Sequence, residues 1–138
     1  MSECDKRLHG IIPAIVTPIT RDGMLDVKLL EKQTKYLLDS GVQGLFICGG
    51  TGEGAYLKTE EKKQILNTIK NIAGGSVFLC AALINSNTRA VIEEMKEIEE
   101  CGPDYIVATA PYYHAASQDD IYEHYRMITE KSKIPVIV

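Results

Sequence analysis

No apolar run in this chain exceeds strand length, which excludes a transmembrane helix. The opening Met1-Ser2-Glu3-Cys4-Asp5-Lys6-Arg7 holds no apolar core of the kind a secretory signal needs. Four cysteines, at 4, 48, 80 and 101, form no C-x-x-C pair, which argues against a zinc or redox centre. Reduced thiols in a cytoplasmic protein are the expected state, with Cys48 and Cys80, set in apolar runs, acting as small core residues. Positive charge is not in excess: 15 Lys and Arg stand against 19 Asp and Glu, a formal net charge of −4. A general attraction for nucleic acid or an anionic membrane surface is therefore absent. No G-x-G-x-x-G follows the first strand candidate, and no Walker lysine follows a glycine-rich loop. Linkers and low-complexity tracts are missing too, so residues 1–138 read as one domain with no internal boundary.

What remains is an ordinary globular composition, 45% hydrophobic and 25% charged, long enough for a real core. Short apolar runs alternate with amphipathic stretches. Strand candidates run over 11–16, 44–48, 77–83 and 105–109, and a fifth starts at 135–138. Between them fall four helix patterns. The first is capped by Asp26 and closed by Gly41, with Val27, Leu30, Tyr36 and Leu37 inward. The second is capped by Thr59 and ends at Gly74-Gly75, with Ile65, Leu66, Ile69 and Ile72 on its apolar side. The third starts at about Thr88, with Val91, Ile92, Met95 and Ile98 inward and Glu93, Glu94, Glu97 and Glu100 as a solvated face. The fourth spans 118–131. Lys58, Lys62 and Lys63 read as exposed helix charges. A recurrence of about thirty residues is the βαβ repeat of a parallel sheet. Its strands are nearly continuously apolar, as strands covered on both faces are. This pattern fits a closed (β/α)8 barrel and an open doubly wound sheet alike.

Two motifs sit just past strands. In Cys48-Gly49-Gly50-Thr51-Gly52-Glu53-Gly54, glycines let the backbone approach an anion closely. Successive N–H groups can then converge on a small carboxylate, and the Thr51 hydroxyl adds a donor. The competing interpretation is a glycine-rich βα turn with a capping threonine. In Ala110-Pro111-Tyr112-Tyr113-His114, one ring can enter a pocket while the other packs. A phenol both donates and accepts and so can relay a proton; the alternative is aromatic packing or an oligomer contact.

The order and spacing of these segments resemble the dihydrodipicolinate synthase and N-acetylneuraminate lyase family of Schiff-base aldolases. Gly10 to Pro18 looks like that family's first strand with its Thr-Pro end. Gly49 to Glu53 matches its G-x-T-G-E signature, and Ala110 to His114 its proline-tyrosine-tyrosine segment. The resemblance implies an α/β fold: the N-terminal half of a (β/α)8 TIM barrel, with four βα units plus the start of a fifth strand. It implies a lyase or aldolase acting on pyruvate or a 2-oxo sugar acid through an imine, with no metal or organic cofactor. By resemblance, Thr51 takes the substrate carboxylate, Gly50 and Gly52 shape the pocket, and Glu53 braces the turn. Tyr113 matches the proton-relaying tyrosine that crosses a tight interface, so a homo-oligomer is implied for the full-length form, a dimer or dimer of dimers. The family's imine-forming lysine falls beyond Val138, so the chain by itself is expected to be truncated and incompetent. A non-catalytic half barrel that binds a 2-oxo acid or a complementary subunit is the alternative; an open-sheet nucleotide-binding module is a third. Gly50 stands where family synthases commonly have a hydroxyl residue, and Ala115-Ala116 replace a usual basic residue and proline. The first departure argues against a standard dihydrodipicolinate synthase, since glycine cannot relay protons, and leaves room for a sugar-acid aldolase, lyase or dehydratase; the second blurs the identity of the second substrate.

Overall fold

A computed structural model describes residues 8–138; Cys4 and the rest of the opening heptapeptide lie outside the described residues. In chain order the elements are α1 (Val27–Asp39), β1 (Gly44–Ile47), α2 (Thr59–Ala73), β2 (Phe78–Leu83), α3 (Thr88–Glu100), β3 (Tyr105–Ala108), α4 (Gln118–Lys131) and β4 (Val136–Ile137). A short 3-10 turn, Gly54–Tyr56, lies between β1 and α2. The strands pair in parallel in the order β1-β2-β3-β4. Sequential order with a helix in each crossover decides between the two architectures left open by the sequence. A doubly wound sheet reverses its strand order and carries helices on both faces. A barrel keeps the order and puts its helices on one face.

The faces bear this out. Leu45, Ile47, Leu79, Ala81, Leu83, Ile106 and Ala108 meet the helices, joining Leu30, Ile65, Leu66, Ile69, Val91, Met95, Ile98 and Ile128 in the main core. Each such fully buried Leu or Ile contributes roughly 1.5–3 kcal/mol. The alternate residues Phe46, Phe78, Cys80, Ala82, Tyr105, Val107 and Ile137 form a second apolar cluster on the opposite face, with Ile12 and Ile84. That second face is the interior of a half barrel.

The strand expected over 11–16 forms only a parallel bridge, Ala14 to Phe46. The Ile15 N–H donates to Phe46 C=O at 3.0 Å, and Phe46 and Gln43 donate to the carbonyls of Pro13 and Ile11 at 2.9 Å each. The segment therefore lies beside β1, but Pro13 has no N–H and deletes a rung of the ladder. Helix ends follow local chemistry. Asp26 accepts from Leu29 N–H at 3.0 Å, Asn87 from Arg89 and Ala90 N–H, and Ser117 from Asp120 N–H. Gly41 (φ 78°) and Gly74 (φ 56°) take the left-handed conformation that closes α1 and α2.

Three expectations are corrected. Tyr36 is 70% exposed, because it lies one position off the stripe Leu30, Thr34, Leu37; Thr34 is the buried residue and donates to Leu30 C=O. Thr59 is the first helical residue of α2 and not its cap. Lys58 takes the cap position, its N–H held by the Glu61 carboxylate at 2.8 Å. Lys62 is not an exposed charge. It is 4% exposed and pairs with Glu94 of α3 at 2.8 Å, while Lys63 reaches Glu97 at 3.2 Å. The acidic run on α3 is thus in part an inter-helix seam.

Candidate functional site

The Gly49–Gly54 turn leaves the C-terminal end of β1, the end at which barrel sites lie. Cys48 has φ 58° and Glu53 φ 53°, and these two left-handed residues bracket the reversal. Gly54 N–H donates to Gly49 C=O at 3.0 Å and Glu53 N–H to Gly50 C=O at 3.1 Å. Among the described residues, no acceptor reaches the N–H groups of Thr51 and Gly52. Thr51 is exposed while Gly52 and Gly54 are buried, so the threonine stands outward on a fixed base.

The glycines differ in what they allow. A Cβ on Gly54 would collide with Cys48 C=O, and one on Gly52 would come within 2.9 Å of Ile15 C=O. At Gly50 a Cβ would meet nothing within 4 Å, so that position has room for a side chain. Thr17, at the Thr-Pro end of the N-terminal segment, donates its hydroxyl to Gly52 C=O at 2.6 Å and ties that segment to the turn. This brace was not singled out from the sequence; a hydroxyl at the end of an extended segment was its only local signal.

Tyr112 and Tyr113 diverge. Tyr112 faces the loop after β2: its N–H donates to Ser86 Oγ at 3.1 Å, and Ser86 Oγ–H donates to Tyr112 C=O at 2.7 Å. Tyr113 has φ 78° and is 92% exposed, touching the His114 ring edge-on at 4.9 Å. Both Thr51 and Tyr113 follow the C-terminal ends of their strands, β1 and β3, with β2 between them. Two strand spacings put those ends roughly 10 Å apart, and no hydrogen bond among the described residues joins the two side chains.

Behind the site the thiols are inert. Burial pushes Cys48 up to about 12, against a smaller opposing effect of Lys62, and Cys80 up to about 11. Such thiols are core residues and not nucleophiles. His124 of α4 is buried; its Nε2 lies 3.1 Å from Thr109 C=O and its Nδ1 2.8 Å from Thr88 Oγ1. A carbonyl only accepts, so Nε2 carries the proton and Nδ1 accepts from the Thr88 hydroxyl.

A sequentially ordered parallel sheet with its helices on one face, a glycine turn past the end of β1 and an exposed tyrosine past the end of β3 define a class: half of a (β/α)8 barrel. The model of the dihydrodipicolinate synthetase family matches residues 7–138, and the chain belongs to that family. The 4-hydroxy-tetrahydrodipicolinate synthase of Chlorobaculum parvum is 31% identical over 97% of this chain and 45% of its own length. The crystal structure of the chloride-inhibited dihydrodipicolinate synthase from Acinetobacter baumannii, complexed with pyruvate, superposes with a TM-score of 0.88 at 34% identity, over 92% of this chain and 44% of that one. N-acetylneuraminate lyase from Mycoplasma synoviae gives 0.84 at 32% identity, over 93% and 45%. The chain spans about half the length of the curated relatives it matches.

Proposed function

We propose that this chain supplies the carboxylate-binding half of a Schiff-base lyase acting on pyruvate or a 2-oxo sugar acid. The observation that carries the reading is the Gly49–Gly54 turn, where Thr51 Oγ1–H and the N–H groups of Thr51 and Gly52 are without partners among the described residues. Three donors on one short turn suit the two oxygens of a carboxylate. In this reading an amine from a lysine outside these 138 residues condenses with the substrate ketone and loses water. The protonated imine then accepts the electron pair of an adjacent C–C bond. No metal or organic cofactor is required, since the imine is the electron sink.

Tyr113 is the proton-relaying residue in this proposal. Its ring is almost fully exposed, with the His114 ring at its edge, and that exposure supports delivery into the site of a second copy across a homo-oligomer interface. The working form is then a cytoplasmic dimer or dimer of dimers of the full-length protein.

Titration calorimetry with pyruvate tests the carboxylate seat. Thr51→Val keeps the shape and removes the hydroxyl, and is expected to weaken pyruvate by roughly ten- to a hundredfold, the worth of a hydrogen bond to a charged group. Equal affinity in the two proteins would remove Thr51 from the site.

A further inference from the structure

A non-glycine residue at positive φ persists only where its surroundings hold it there, and Tyr113 sits at φ 78° on an otherwise exposed loop. Two contacts grip the chain before it, one from Ser86 in the loop ahead of α3 and one from His124 of α4. Ser86 exchanges two hydrogen bonds with the Tyr112 backbone. Thr88 donates to His124 Nδ1, and His124 Nε2–H donates to Thr109 C=O. Residues 109–112 are thereby clamped at both ends by side chains from two other elements. We propose that Ser86 and His124 are positioning residues that fix the backbone of Tyr113 and so aim its exposed ring.

The second clamp works with neutral His124. A proton on Nδ1 reverses the Thr88 bond and puts a charge where it has no free carboxylate. The titratable groups lining the cavity beside His124 are Tyr112 and His114 from the loop and Asp120 and Glu123 from α4, where Tyr125 also meets the His124 ring edge-on at 5.4 Å, while α3 contributes the neutral Thr88. Asp120 is bonded to Ser117 and Glu123 to Arg126 at 2.8 Å. Burial accordingly holds His124 below its ordinary 6.5, partly offset by the Thr109 carbonyl. Since the folded state takes up this proton less readily than the unfolded chain, the stability His124 contributes is complete above about pH 6.5. It declines as pH falls below that value.

That Tyr113 is the group worth positioning rests on the proposed function; the test does not. Backbone NMR of the chain without substrate, from about pH 8 to about pH 5, reads the Tyr113 amide directly. At the upper pH, Ser86→Ala is expected to shift the Tyr112 and Tyr113 amides and leave the α4 amides in place. On acidification, the Tyr113 amide is expected to show a step with the midpoint of His124, below about 6.5. His124→Gln keeps a donor for Thr109 C=O and cannot titrate, so it should abolish that step. Tyr113 amides unmoved by Ser86→Ala would overturn the proposal. So would a step at the His124 midpoint that survives in His124→Gln. Should the glutamine variant not fold, Thr88→Val removes the Nδ1 donor and is expected to raise the His124 midpoint, and an unmoved midpoint counts against the clamp. Where the lyase activity is present, Ser86→Ala should lower kcat by roughly ten- to a hundredfold with KM for pyruvate unchanged, the signature of misplaced catalytic geometry.

Discussion

Gly54→Ala is expected to lose both thermal stability and pyruvate binding, whereas Gly50→Ala, four residues earlier in the same turn, should leave thermal stability unchanged. At Gly54 the added Cβ lands on the Cys48 carbonyl, with Cys48 C only 2.6 Å away. Those atoms cannot step aside cheaply, because Cys48 is itself buried at φ 58° at the end of a paired strand. The turn must open, which costs about 3 kcal/mol or more, and opening it displaces Thr51. At Gly50 the same methyl meets nothing within 4 Å, so its effect should stay within about 0.5 kcal/mol. Differential scanning calorimetry of the two variants and pyruvate titration of Gly54→Ala read both halves of the prediction. Equal losses of stability, or a Gly54→Ala protein that binds as the parent does, would mean that the turn is not the rigid seat described.

Lys62→Met is expected to destabilise by about 3 kcal/mol, a fall in Tm of roughly 10 °C for a chain of this length. The ammonium is nearly buried, and its partner Glu94 keeps only 13% of its side chain exposed. Removing the cation leaves a carboxylate held by one long contact, Thr59 Oγ1 at 3.4 Å. The double variant Lys62→Met, Glu94→Leu should recover most of the loss, since two apolar groups replace a desolvated pair at little net cost. A single variant as stable as the parent would show that water reaches the pair freely.

Much of this architecture is written locally. Asp26, Ser117 and the Gly41 and Gly74 stops act on the residues beside them, so both ends of α1, the start of α4 and the end of α2 are set locally. Continuous apolar strands at a thirty-residue recurrence identify a parallel sheet, though not whether it closes. That distinction needs the helices to be seen on one face. The missed features share a different cause: they depend on partners far along the chain. Lys62 reads as a surface lysine until α3 brings Glu94 against it, 32 positions later. His124 reads as a helix residue until Thr88 and Thr109 meet its two nitrogens. Pro13 gives a local warning against a regular strand, and its missing rung shows why. For the site, the glycine turn and the tyrosine pair gain weight from their order and spacing past successive strands, but the steric difference between Gly50 and Gly54 exists only once Cys48 folds back beneath the turn.

The central claim, a seat for a 2-oxo acid that feeds an imine, meets its most direct test in the intact mass of the protein from its native source. The sample would be incubated with pyruvate and reduced with borohydride. A polypeptide of about twice 15.3 kDa carrying a reduced pyruvate adduct is the result that the proposed function predicts. A 15.3 kDa species that acquires no adduct, alone or with any co-purifying chain, would contradict the lyase account and leave a half barrel that binds without catalysing.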